Sequence, residues 1–208
     1  MSVANKGITI ALKELNDGNY SHAEKLHELI GKTISEAGIE WSALNAIAVS
    51  QGPGSYTGLR IGVSAAKGLC FALDIPLIAV NTLASFAHSF SISAGYKIPL
   101  LDARRMEVYS AVFNSKNESL RPVKAEIITP DSFHEFLEGQ KVYFFGDGAE
   151  KCKEIIDHKN AVFSAHKFPS ANEMAFLSFD KYKKNDIQDV AYFEPFYLKD
   201  FIVTKSKK

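Results

Sequence analysis

Residues 52–62 read Gly-Pro-Gly-Ser-Tyr-Thr-Gly-Leu-Arg-Ile-Gly and stand between a strand-like run and a helix-like run. A glycine-rich loop at a helix N-terminus presents backbone N–H groups and the positive end of the helix dipole, which suits an anion. The candidate contacts are Gly52, Gly54, Ser55, Thr57 and Gly58. No Lys-Ser or Lys-Thr pair follows the glycines, so the loop is not a Walker A motif, and glycines at 52, 54 and 58 are one residue too widely spaced for the dinucleotide pattern. As an anion site the signal is weak, and a tight structural turn is the competing reading.

Other chemistry is sparse. His22 and His27 are five apart and do not form the i, i+4 pair of a helical metal site. Cys70 and Cys152 are too few for a disulfide framework and lack zinc-site spacing, so both are expected to be reduced. Asp102, followed by Arg104, Arg105 and Glu107, could form an acid and base cluster; a hairpin with exposed ion pairs is the plainer reading. No metal and no cofactor is expected.

The elements that would position these residues alternate. Ile8 to Leu12 reads as the second arm of a hairpin after the turn Asn5-Lys6-Gly7. Ser21 and Glu24 form a capping box for a helix over 21–37, stopped by Gly38. Strands at 46–50 and 77–80 alternate with helices over 57–73 and from 81 or 82 to 93, the pattern of parallel βαβ crossovers. After Pro99 come strands at 100–103, 107–113, 124–128, 142–145 and 161–163. A short helix starts at Pro130, another helix precedes 161–163, and a final amphipathic helix is capped by Ser170. The expected domains are a first α/β lobe over 1–98 and a second over 99–208, with a hinge near 95–101.

The helix over 57–73 is unusual. At 100° per residue Gly58, Gly62, Ala65, Leu69 and Ala72 make one small-residue stripe, while Arg60, Val63, Lys67 and Phe71 mix apolar and basic groups on the other side. Gly58, Gly62 and Gly68 each cost ~1 kcal/mol relative to alanine in a helix interior. Two packed faces would offset that cost, one against the sheet and the other against a second helix or a partner chain; the plainer reading is that this is simply the most buried helix of the lobe.

Charge sharpens this reading. The 208 residues carry 24 Lys plus Arg against 24 Asp plus Glu, so the chain lacks the basic excess of a protein that grips nucleic acid alone. Residues 1–100 hold 7 basic and 7 acidic side chains and residues 101–208 hold 17 and 17, so the first half offers the less charged surface. Apolar runs fall far short of the roughly 18 residues of a membrane span. No secretory signal opens the sequence, and a cytoplasmic location is expected. Lys205, Lys207 and Lys208 form a small basic tail, read as solvated.

The run Gly52 to Gly62, taken with Asp102-Ala103-Arg104-Arg105-Met106-Glu107-Val108-Tyr109 and Glu194-Pro195-Phe196-Tyr197-Leu198-Lys199, resembles the TsaB family of bacterial tRNA threonylcarbamoyladenosine biosynthesis proteins. The resemblance implies an α/β, actin-like (ASKHA) fold of two lobes. It also implies a non-catalytic scaffold that pairs with the catalytic subunit TsaD and with the ATPase TsaE. The modification lies beside the anticodon of tRNAs reading codons that start with A. The family's partner surface lies on the first two helices of the first lobe, here 21–37 and 57–73. It places Leu26, Leu29, Ile30, Arg60, Val63, Lys67 and Phe71 at the interface. The resemblance further implies a homodimer when the chain is alone, and contact with tRNA only through the complex.

Family members usually open with a strand carrying an Asp-Thr-Ser-like motif before the segment matching Ser2-Val3-Ala4, and the sequence lacks it. Met1 is accordingly expected to be an internal or misassigned start, with an open sheet edge where that strand would pair. The alternative function is a stand-alone ATPase or metalloprotease-like hydrolase with an interlobe cleft. Against it stand the missing first motif, the absent histidine pair and the absent phosphate-binding lysine.

Overall fold

The structure is a computed structural model describing residues 1–16, 22–166 and 168–198. The chain opens with an antiparallel hairpin, β1 (Ser2–Asn5) and β2 (Ile8–Leu12). Its two-residue turn, Lys6 and Gly7, has φ of 50° and 84°, the mirror-image turn whose twist matches paired strands. Helix α1 (His22–Ala37) covers the hairpin, with Ile34 packed against Val3 and Ala11. The expected Ser21 cap lies outside the described residues. Gly38, at φ 66°, ends the helix in a conformation that suits glycine.

A βαβ unit follows: β3 (Ile47–Gly52), α2 (Tyr56–Leu73) and β4 (Leu77–Asn81), with β3 and β4 parallel. Asn81 caps α3 (Thr82–His88) by accepting a bond from the Ala84 N–H at 3.0 Å. The sequence extended this helix to residue 93, but it stops at His88. The Ser89 hydroxyl donates back to the Phe86 carbonyl at 2.7 Å. The chain then turns through Gly95, where an added Cβ would lie 2.3 Å from the Lys141 carbonyl oxygen.

The remaining strands form one sheet in the order β7-β6-β5-β8-β9. They are β5 (Tyr96–Asp102), β6 (Glu107–Asn114), β7 (Ser119–Ile127), β8 (Val142–Phe145) and β9 (Ala161–Phe163). Both β5 and β7 begin earlier than their sequence signals. The helices are α4 (His134–Leu137), α5 (Ala149–Lys153) and α6 (Met174–Lys183). Two helix starts shift from expectation. Ser132 and Ser170 close turns by accepting from the N–H groups of Thr129 and Asn172, so α4 and α6 begin later than Pro130 and Ser170.

The period-2 alternation of β5 divides the core. Ile98 and Leu100 pack with Phe144, Leu137 and Cys152, while Leu101 joins Leu83, Phe86 and Phe145 under α3.

The end of the chain returns to its beginning. Helix α6 packs against β4 and against β1, β2 and β3. Beyond it, residues 188–198 run as a strap, and Gln188 bridges antiparallel to Leu77 on the outer edge of β4. The other edge of β3 pairs with no strand among the described residues, and the hairpin stays a separate two-stranded ladder. Among the described residues no helix is long and apolar enough to cross a membrane.

Candidate partner interface

The glycine-rich loop is built as a turn. The Ser55 hydroxyl accepts from the Gly58 N–H at 3.3 Å and so caps α2 with one of the donors an anion would need. Gly52 has φ 112°, and a Cβ there would meet the Phe196 carbonyl oxygen at 2.9 Å and the Leu59 side chain at 3.2 Å. Close approach of the strap is thus what this glycine permits. Gly54 is half-buried over Leu59, and Thr57 is exposed.

Helix α2 buries Leu59, Val63, Ala66 and Cys70, a stripe at i, i+4, i+7 and i+11. This corrects the wheel analysis in two ways. The small-residue stripe is not the main buried face: Gly58, Gly62, Ala65 and Leu69 are half-buried and Ala72 is exposed, with Gly62 lying 3.9 Å from Val49 of the sheet. Val63, assigned to the exposed partner face, is 4% exposed and belongs to the buried stripe. Leu26 on α1 is buried as well. Both are covered by their own chain, so neither offers surface to a partner.

Of the other residues assigned to that face, Leu29 and Ile30 are half-buried on α1, which packs beside α2. Arg60 and Lys67 are engaged by the strap. The Arg60 guanidinium lies 4.1 Å from the centre of the Tyr56 ring, and its Nε donates to the Tyr197 hydroxyl at 3.2 Å. The Tyr56 and Tyr197 rings are 5.2 Å apart. One helical segment further on, the Lys67 ammonium donates to the carbonyls of Ala191 at 3.0 Å and Phe193 at 3.1 Å. Phe193 tucks in beside Ala66, Cys70 and Leu77. Phe71 is 87% exposed. The strap was marked in the sequence only by the motif Glu194-Pro195-Phe196-Tyr197-Leu198-Lys199, which gave no sign that it packs along α2.

The Asp102 cluster is a hairpin with ion pairs. Lys151 donates to Asp102 at 2.5 Å and to the carbonyls of Arg105 and Glu107, while Arg104 N–H donates to Asp102 at 2.8 Å. Desolvation pushes the Asp102 carboxyl up, and the bonds from Lys151 and Arg104 outweigh it, leaving its pKa below the usual value. Nearby Asp147 accepts from the Asp102 N–H at 2.9 Å, and desolvation raises its pKa. Arg104 and Arg105, at φ 69° and 53°, form the tip of the β5–β6 turn.

One further feature escaped the sequence. Lys97 is 1% exposed, and its ammonium donates to the Ala87 carbonyl at the C-terminus of α3 and to Asn117. Burial lowers its pKa to about 8. Cys70 and Cys152 are free and buried, and desolvation raises their thiols to about 11 and about 12. Among the described residues, no three His, Cys, Asp or Glu side chains gather as metal ligands.

Comparison with known proteins gives these features a context. A family model described as TsaD, tRNA N6-adenosine threonylcarbamoyltransferase, matches residues 18–206. The tRNA threonylcarbamoyladenosine biosynthesis protein TsaB of Bacillus subtilis is 31% identical over 187 residues, 86% of this chain and 80% of that protein. A tRNA N6-adenosine threonylcarbamoyltransferase of Syntrophobacter fumaroxidans is 45% identical over 62 residues, 30% of this chain and 18% of the transferase. Among solved structures, YeaZ from Pseudomonas aeruginosa superposes with a TM-score of 0.73 at 26% identity, covering 88% of this chain and 92% of YeaZ.

Proposed function

Since the chain belongs to the TsaB family, within the wider family that the TsaD model describes, we propose that it is a non-catalytic scaffold subunit of the complex making threonylcarbamoyladenosine in tRNA. In this reading it binds and activates a TsaD-like catalytic subunit and works with a TsaE-like ATPase. Alone it forms a homodimer, and it meets tRNA only through the complex, in the cytoplasm. The balanced charge of 24 basic and 24 acidic residues fits a subunit that leaves tRNA binding to the assembly. The division into lobes at 1–98 and 99–208 belongs to the same reading.

The observation that carries the proposal is Phe71, an 87% exposed aromatic ring on α2 beside α1. An exposed aromatic on a helix face whose cations, Arg60 and Lys67, are already engaged by the strap marks a surface that a partner covers. Leu29, Ile30 and Phe71 are the residues through which α1 and α2 would meet the catalytic subunit. The glycine loop supports the reading by spending the Gly58 N–H on its own cap.

The test is reconstitution of tRNA modification from this chain, a TsaD-like subunit and a TsaE-like ATPase of the same genome. Product should require this chain and should form equally well with Asp102→Ala. Turnover by this chain without the TsaD-like subunit, or loss of turnover by Asp102→Ala in an assembled complex, would overturn the scaffold reading.

A further inference from the structure

The strap leaves an open cavity of about 580 Å³ between itself and the end of β3, walled by Gln51, Asp189, Tyr192, Glu194, Phe196 and Tyr197. That volume lies in the range of small-ligand sites. The lining is one-sided. It holds two carboxylates and three aromatic rings that reach solvent, Tyr192, Phe196 and Tyr197, and among the described residues no basic side chain lines it. The cations that touch the strap are engaged. The Arg60 guanidinium lies on Tyr56 and donates to the Tyr197 hydroxyl, so it attracts Glu194 only at longer range. The Lys67 ammonium holds the carbonyls of Ala191 and Phe193. Glu194 enters no ion pair among the described residues. The Asp189 carboxylate spends Oδ1 on the N–H groups of Ala191 at 2.8 Å and Tyr192 at 3.1 Å, which leaves Oδ2 for a ligand. The wall is also fixed in advance: the Phe193 N–H donates to the Asp189 carbonyl at 2.9 Å and the Phe196 N–H to the Gln51 carbonyl at 2.7 Å.

We propose that this cavity is a binding site for an organic cation, an alkylammonium or guanidinium group seated among the strap's rings and carboxylates. Ring faces attract a cation through their quadrupole, and the Asp189 and Glu194 carboxylates accept its N–H donors in charge-assisted bonds. An anion would meet two like charges, and a neutral ligand would leave both carboxylates without a counter-charge. A bare metal ion fits less well, because it needs several oxygen ligands and gains little from ring surfaces; among the described residues no three His, Cys, Asp or Glu side chains gather to hold one. The wall is ordered before binding, which lowers the cost of association. A diffusible polyamine and the basic side chain of another chain carry the same chemistry. The site stands on the cavity itself and is independent of the scaffold reading.

The experiment is NMR titration of the full chain, following the ring signals of Tyr192 and Phe196, with ethylguanidinium, its uncharged isostere ethylurea, and spermidine. Ethylguanidinium should shift the rings with a Kd of roughly 1–10 mM, the range of a fragment of this size. Ethylurea should bind roughly fivefold or more weakly, since it loses both the ring and the carboxylate attraction. Glu194→Gln and Tyr192→Leu lie at exposed positions, and amide spectra unchanged outside the strap would show that both fold. Each should weaken ethylguanidinium binding by roughly two- to fivefold, the span of one exposed ion pair or cation–ring contact. Spermidine binding more tightly than ethylguanidinium supports the site as one for a diffusible polyamine, and weaker spermidine binding supports it as one for a guanidinium side chain. Ring signals that no cation moves at about 20 mM, a concentration above the expected Kd, would overturn the proposal. So would ethylurea binding as well as ethylguanidinium, or an affinity unchanged in Glu194→Gln and Tyr192→Leu.

Discussion

Val63 separates core from interface, and Val63→Ala measures which it is. The substitution removes two methyl groups from a side chain that is 4% exposed, between Leu59 and Ala66 on the buried stripe of α2. At ~0.8 kcal/mol per buried methylene-sized group the transfer loss is about 1.6 kcal/mol, and an incompletely collapsed cavity adds to it. Alanine's better helix propensity returns roughly 0.5 kcal/mol. The expected destabilisation is about 2 kcal/mol, or a fall of roughly 4–8 °C in Tm for a chain of this size. Urea unfolding followed by circular dichroism gives the free energy, and titration with the TsaD-like subunit under native conditions gives the affinity. The urea midpoint should fall with an unchanged slope, and the affinity of the folded variant should stay within about twofold. An unchanged midpoint accompanied by a large loss of affinity would refute the assignment of Val63 to the core.

Three further outcomes follow from the same geometry. Lys97 has a folded pKa of about 8 against an ordinary 10.5, so between those values the unfolded chain binds more protons and this residue makes stability rise with pH. Urea unfolding at several pH values across that window should show a shallower rise for Lys97→Met, and an unaltered dependence would exclude a buried ammonium. Ser55→Ala should cost about 1 kcal/mol through loss of the α2 cap. Millimolar phosphate should leave the melting temperature of both forms unchanged, and a phosphate-dependent rise seen only in wild type would restore the loop as an anion site. Cys70 and Cys152 should resist alkylation at pH 8 until urea unfolds the chain, because both are buried and their thiols sit at about 11 and about 12; rapid labelling of the native protein would contradict that burial.

Local signals made much of the fold readable. Gly38 after a 3.6-residue apolar period marks the end of α1, and the apolar runs 46–50 and 77–80 around a helical period mark the β3-α2-β4 unit. The glycine loop was legible as a turn for the same reason: Ser55 stands three residues before an N–H that needs an acceptor. The interface was less legible because a helical wheel gives angles without saying which angle meets the sheet. Turning the assumed inward direction by one residue exchanges the glycine stripe for Leu59, Val63, Ala66 and Cys70, and moves Val63 from surface to core. Arg60 and Lys67 could not be placed at all from local sequence, since their partners lie more than 120 positions away in the strap. Lys97 fell within the expected hinge at 95–101 and carried no local signal; only the tertiary fold brings the end of α3 and Asn117 to it. The final lysines 205, 207 and 208 lie outside the described residues.

The most direct test of the central claim is light scattering behind size exclusion, on this chain alone and then mixed with a TsaD-like subunit of the same genome. The account predicts a homodimer that exchanges into a one-to-one heterodimer, with exchange weakened by Phe71→Ala. A folded wild-type chain that elutes unchanged in the presence of the TsaD-like subunit would contradict it.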